Sequence, residues 1–146
     1  MMDKCKNYQE LLENYQLDKD FSIEYSEKYQ FISTVVATIH GGGIEPGTTE
    51  LVKEIAGDDM SWYSFTATKS KNNNDLHLTS INFDEPIGLK LIENSTTTLI
   101  IHGCRDIIPI VYIGGRDIEL ADNIAKNLKN YLWQDDVTIQ LVKDGP

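Results

Sequence analysis

A chain of 146 residues carrying 13 Lys and Arg against 23 Asp and Glu, a formal net charge of −10, is expected to form one domain burying roughly two thirds of the surface its unfolded form exposes. The acidic balance argues against nucleic acid or an anionic membrane as partner, because phosphate binding needs concentrated Lys and Arg. Cys5 and Cys104 are too few for a disulfide framework, which points to synthesis in a reducing compartment, and neither reads as a strong metal ligand.

The N-terminal residues lack an apolar core of signal-peptide length, and no stretch approaches the ~18 apolar residues of a membrane span. A soluble protein, made in the cytoplasm without its own export signal, is the expectation. A short amphipathic segment runs from Tyr8 to Tyr15, and the first clear strand is Thr34 to Ile39. That β-branched run stops at His40-Gly41-Gly42-Gly43-Ile44-Glu45-Pro46, where the glycines permit a sharp turn. Thr48 is the expected N-cap of a helix over Thr49 to Ala56, with Glu50 in its first turn and Gly57 closing it. Ser61 to Thr68 reads as a second strand, Lys69 to Asp75 as a solvated polar loop, and Leu76 to Ile81 as a short strand. Pro86, after Asp84 and Glu85, is placed to open a segment of weak helical period over Ile87 to Glu93.

Thr96 to Ile101 is a second apolar, β-branched run that stops at a histidine, His102, followed by Gly103. Ile108 to Ile113 reads as a strand ended by Gly114 and Gly115. Asp117 to Trp133 carries Ile118, Ala121, Ile124, Ala125, Leu128, Tyr131 and Leu132 at helical spacing, the strongest helix signal present. Val137 to Val142 is the last strand, stopping at Lys143 to Pro146. Strands alternating with helices indicate an α/β fold: a mixed sheet with a parallel core, flanked by helices. In such sheets the working site gathers at the carboxyl ends of the strands, where His40 and His102 both fall.

Two histidines and a glutamate are one of the standard donor sets of a catalytic zinc. The five-residue step from His40 to Glu45 can span up to ~17 Å, and a glycine loop can fold that reach back until both side chains meet one ion. His40, Glu45 and His102 are therefore the expected ligands, because both histidines follow strands that can be neighbours in a parallel sheet. His77 is the alternative third ligand; alternation along Leu76-His77-Leu78-Thr79 turns its imidazole towards a polar cleft. A single histidine at a strand end more often serves as a hydrogen-bonded structural residue, and glycine runs also serve phosphate cradles and oxyanion loops. Against those, no Lys or Ser/Thr follows the glycines in cradle order, and no Gly-x-Ser-x-Gly nucleophile occurs. Arg105 and Arg116, each just past a strand end, can clamp a substrate carboxylate, or each can pair with its neighbouring Asp106 or Asp117. Asp84 and Glu85 can orient a histidine or serve the turn before a helix, which is the expectation.

Three stretches together resemble the poly-γ-glutamate hydrolase family of bacilli and their phages. They are His40 to Thr48, Asn74 to Ser80 leading to Phe83-Asp84-Glu85-Pro86, and His102-Gly103-Cys104 with Gly114-Gly115-Arg116-Asp117. The resemblance implies a zinc peptidase related in fold to the carboxypeptidases, cutting γ-glutamyl bonds of poly-γ-glutamate, with the zinc set on His40, Glu45 and His102. Carboxypeptidases proper separate their first His and Glu by two residues; here four intervene, so that likeness is one of fold and ligand type. The resemblance also implies a general-base glutamate on a further strand that would lie beyond Pro146, hence a C-terminally truncated chain with a zinc site and weak or absent hydrolysis. Arg105, Arg116 and His77 are the expected substrate-binding residues, and the chain is expected to be a monomer, acting outside the cell after host lysis. Two other functions compete: a zinc-bound module that binds polyanion with little activity, and a zinc deacylase of small N-acyl amino acids.

Overall fold

The computed structural model describes residues 3–28, 33–131 and 137–142. They form two compact units, 1–104 and 105–146. In the first unit, strands β1 (Phe21–Ser26), β2 (Thr34–Gly42), β3 (Ser61–Ala67) and β4 (Thr97–Ile100) make one sheet in the order β1-β3-β2-β4. β2 runs parallel to β3 and β4, while β1 pairs antiparallel with β3. Helices α1 (Tyr8–Asn14), α2 (Thr48–Ala56) and α3 (Pro86–Glu93) flank it.

The continuous apolar run of β2 is explained by burial on both faces, as a central parallel strand requires. Val35, Ala37 and Ile39 join Leu11 of α1, Phe21, Tyr63, Phe65 and Leu91 of α3 in one core. Val36 on the opposite face packs with Val52 and Ala56 of α2, against Trp62 and Leu99. The second unit is a parallel pair, β5 (Ile110–Gly114) and β6 (Thr138–Val142), joined through α4 (Ile118–Tyr131). The helical spacing of α4 buries Ala121 and Ala125 against Ile113; Leu132 and Trp133, expected in the same helix, lie outside the described residues, as do Lys143 to Pro146. No helix among the described residues is long and apolar enough to cross a membrane.

Several local expectations change. β1 precedes the strand read as the first; its alternation is masked because Phe21 is buried while Ser22 to Tyr25 remain partly exposed. The Leu76 to Ile81 strand is absent: two 3₁₀ turns, Asn73–Leu76 and Ser80–Asn82, flank an extended link that pairs with no strand. Leu76 and Leu78 still point into the core, so the alternation was real and the pairing was not. Thr48 is the first helical residue of α2 rather than its cap, and Gly47, with φ of 94°, occupies the N-cap. β4, for all its apolar, β-branched run, is a half-exposed edge strand. Lys69 is not solvated: it sits 4.7 Å over the Tyr15 ring, 3.4 Å from Asp75.

The turn reading of Asp84-Glu85-Pro86 is the one realised. Glu85 is 2% exposed and its carboxylate accepts from the Ile87 and Gly88 amides at 3.1 and 2.8 Å, with Pro86 opening α3. Asp84 accepts from the Tyr8 amide at 2.6 Å, tying α1 to the same turn. Removing the Glu85 carboxylate orphans one buried and one half-buried amide, so Glu85→Ala is expected to cost about 1–3 kcal/mol. Urea unfolding checks this; an unchanged midpoint would contradict it.

Candidate metal centre

β2 does not stop before His40 but continues to Gly42, and its register against β3 shifts between Thr38 and Gly41. Such a bulge re-aims the side chain it carries. The shifted stretch holds Ile39 and His40, and His40 is buried at 3% exposure within the sheet rather than hanging off its end. The chain then reverses: the Glu45 amide donates to the His40 carbonyl at 2.9 Å, and the Thr48 hydroxyl donates to the Glu45 carbonyl at 2.8 Å. Gly42 makes the turn with φ of 63°, a conformation side chains with a Cβ rarely adopt.

β4 lies parallel beside β2, and the Ile101 amide donates to the Ala37 carbonyl at 2.8 Å. That pairing delivers His102 to the same edge as His40. The His40 Nδ1 stands 3.2 Å from both the Glu45 Oε1 and the His102 Nδ1, and the His102 Nδ1 is 3.5 Å from the Glu45 Oε2. One ligand atom from each residue falls within 4.8 Å of the others.

Three features make this donor set suited to a zinc ion. Ligand bonds of about 2.0–2.2 Å at tetrahedral angles put the donor atoms about 3.3 Å apart, which is close to the separations observed. The His40 Nε2 lies 2.8 Å from the Leu78 carbonyl, which assigns the proton to Nε2 and turns the Nδ1 lone pair towards Glu45 and His102. Burial pushes the His40 pKa down, with the neighbouring His77 and His102 adding to the effect against the Leu78 carbonyl and Glu45, so the ring is neutral as a ligand must be. Glu45 is held in turn: its Oε2 accepts from the Gly103 amide at 2.8 Å, and a Cβ at Gly103 would stand 3.0 Å from that of Glu45. The His102 side chain is 40% exposed, which leaves one side of the cluster open to solvent.

His77 stands apart from the three donors. Its ring stacks on His40 with centroids 4.1 Å apart and planes at 19°, and its Nδ1 lies 2.7 Å from the Asp3 Oδ1. Asp3, the Leu78 carbonyl and the Gly103 amide went unnoticed in the sequence. Backbone groups leave no compositional trace, and Asp3 reaches its partners across more than seventy residues of chain. Arg105 and Arg116 are exposed residues of the second unit. Neither forms an ion pair among the described residues; Asp106 accepts from the Tyr112 hydroxyl at 2.6 Å, and Asp117 from the Leu120 amide at 2.9 Å.

Asp3 carries a pH prediction. Burial alone would raise its pKa, but the hydrogen bonds from Thr79, His77 and Asn82 outweigh that and bring it down to about 2. A depressed carboxyl stabilises the fold above its unfolded value and loses that contribution as pH falls through the folded one. A stability loss of about 1–2 kcal/mol is therefore expected between pH ~4 and ~2. It should be missing from the urea-unfolding profile of Asp3→Asn; identical profiles for the two chains would refute it.

A family model described as poly-gamma-glutamate hydrolase matches residues 5–140. This chain belongs to that family. The UPF0714 protein YndL of Bacillus subtilis (strain 168) is 34% identical to it over 128 residues, 88% of this chain and 49% of YndL. The SPbeta prophage-derived UPF0714 protein YoqZ of the same organism is 35% identical over 132 residues, 86% of this chain and 44% of YoqZ. The chain thus spans about half the length of these relatives. Among solved structures, a bacteriophage poly-gamma-glutamate hydrolase matches with a TM-score of 0.84 at 29% identity, covering 98% of this chain and 67% of that one. YndL in an apo, zinc-free form matches with a TM-score of 0.89 at 30% identity, covering 99% and 68%. The family resemblance and the mixed α/β fold expected from the sequence are borne out.

Proposed function

We propose that His40, Glu45 and His102 hold one zinc ion and that the chain hydrolyses γ-glutamyl amide bonds of poly-γ-glutamate. The observation that carries this reading is the donor cluster itself: His40 on β2, Glu45 in the loop from β2 to α2 and His102 just past β4, with donor atoms 3.2–3.5 Å apart. A bound zinc ion lowers the pKa of its water from 15.7 to about 7 and polarises a carbonyl. The chain's own residues then have defined duties. His40 and His102 donate through Nδ1, and Glu45 supplies the negative charge that makes the site selective for a dication. The Leu78 carbonyl and the Gly103 amide hold the two inner ligands in orientation, so little reorganisation accompanies loading. The exposed side of His102 is where a polymer segment can approach.

A protein of net charge −10 repels polyglutamate at long range, so capture depends on cationic groups acting within a screening length of ~8 Å. We propose Arg105 and Arg116 as residues that bind carboxylates of the polymer. Charge reversal to Glu at the relevant arginine is expected to raise KM for polymer severalfold; normal kinetics for both single variants would remove the assignment.

Metal analysis of the purified chain, with polymer size followed in parallel, tests the whole reading. One zinc per chain with at most slow shortening of the polymer is expected. Polymer bound but uncut would favour a binding module, cleavage of small N-acyl amino acids alone would favour a deacylase, and a chain that takes up no zinc would overturn the reading.

A further inference from the structure

The residues around Leu78 are placed in an unusual way. The segment pairs with no strand, lying between the turns Asn73–Leu76 and Ser80–Asn82, so no sheet ladder fixes its backbone. Yet its Leu78 carbonyl must stay on the His40 Nε2, 2.8 Å away, if the Nδ1 lone pair is to face the other donors. The two residues beside Leu78 are both bound by one carboxylate: the Asp3 Oδ1 takes the His77 Nδ1–H at 2.7 Å, and the Asp3 Oδ2 accepts from the Thr79 amide at 2.7 Å. A third contact, from the Asn82 side chain to the Asp3 Oδ2 at 3.5 Å, extends the grip into the second turn. Asp3 lies ahead of the residues that the family model matches.

We propose that Asp3 is a positioning residue of the metal centre. Its carboxylate clamps His77 and Thr79, holds the Leu78 carbonyl between them against His40, and so fixes the tautomer and the ring plane of that ligand. His77 contributes a second restraint, since the same bond that ties it to Asp3 keeps its ring flat on His40. Partners of this kind behind a ligating histidine typically change metal affinity by 10–100-fold. The inference rests on the zinc reading for its effect on affinity, and on the hydrogen bonds alone for its effect on His40. A merely structural tether is distinguishable, because the neighbouring pair Lys4–Asp75, 2.9 Å apart, also ties the N-terminus to this segment without touching either residue beside Leu78.

The test compares the full chain with Asp3→Asn and Asp75→Asn in two measurements. Zinc affinity is read by competition with a chromophoric chelator. The His40 tautomer is read in the metal-free proteins by long-range ¹H–¹⁵N imidazole spectra at pH 8. Asp3→Asn is expected to bind zinc 10–100-fold more weakly and to show His40 losing its single Nε2–H form, while Asp75→Asn matches the parent in both. Parental affinity and a parental tautomer in Asp3→Asn would overturn the proposal, as would equal changes in the two variants. Should Asp3→Asn not fold, His77→Phe keeps a ring on His40 and removes only the donor to Asp3; it is expected to shift the same two readouts, and parental values there would be equally decisive against it. A parent that binds no zinc defeats the zinc reading, and the tautomer comparison still decides the role of Asp3.

Discussion

Replacing His40 by alanine is expected to reduce zinc affinity by about 10²–10³-fold, the share of one ligand in a binding free energy of about 10–16 kcal/mol, and to remove hydrolysis with it. The residue is the hub of the cluster: its Nδ1 is 3.2 Å from a donor atom of each of the other two ligands. The substitution also orphans the Leu78 carbonyl and leaves a void beneath the stacked ring of His77, so a stability loss of about 1–3 kcal/mol accompanies the loss of metal. Glu45→Gln separates the two effects, since it keeps the acceptor for the Gly103 amide and removes only the charge. Zinc titration followed by calorimetry, with unfolding measured on the metal-free proteins, checks both. Parental zinc stoichiometry and affinity in His40→Ala would sink the assignment.

Gly41→Ala is expected to destabilise the fold by about 3 kcal/mol or more, the upper range for overpacking a core, a large part of the ~5–15 kcal/mol that holds a domain together. A Cβ there would stand 2.3 Å from the Thr49 Oγ1, 2.7 Å from the Ser64 Oγ and 2.8 Å from the Phe65 carbonyl oxygen. The last belongs to the backbone of β3 and cannot rotate away. The first two are locked in a buried hydroxyl network, with Thr49 to Ser64 at 2.9 Å, Ser64 to Thr66 at 2.8 Å and the Gly42 amide on Thr49 at 3.2 Å. Relief requires β2 to move from β3 or α2 to lift from the sheet, and either shift displaces His40 from Glu45. Gly47→Ala is the control: nothing lies within 4 Å of its Cβ position, so only the strain of a positive φ remains, about 1 kcal/mol. Thermal and urea unfolding of the two variants should differ clearly, and equal losses would show that packing at Gly41 is unimportant.

The residues that carry periodicity or chemical type were the ones legible in the sequence. The β-branched runs of β2 and β4 placed His40 and His102 on neighbouring strands, α4 followed from its apolar spacing, and Pro86 marked the start of α3. What stayed hidden depends on contacts between segments far apart in the chain. The bulge that buries His40 requires the register against β3, which no local pattern encodes. Leu76 to Ile81 alternates like a strand because Leu76 and Leu78 enter the core, yet Asp3 rather than a neighbouring strand takes the Thr79 amide. Gly103 shows in the sequence only as the residue after His102, whereas its amide and its missing Cβ both serve Glu45.

The central claim is that one zinc ion sits between His40, Glu45 and His102. Crystals of the full chain grown with zinc, with anomalous difference maps recorded on either side of the zinc absorption edge, test it directly. A single peak is predicted about 2.0–2.1 Å from the Nδ1 atoms of His40 and His102 and about 2.0–2.2 Å from a carboxylate oxygen of Glu45. A peak ligated by His77 in place of His102, or no peak at these residues, would contradict it.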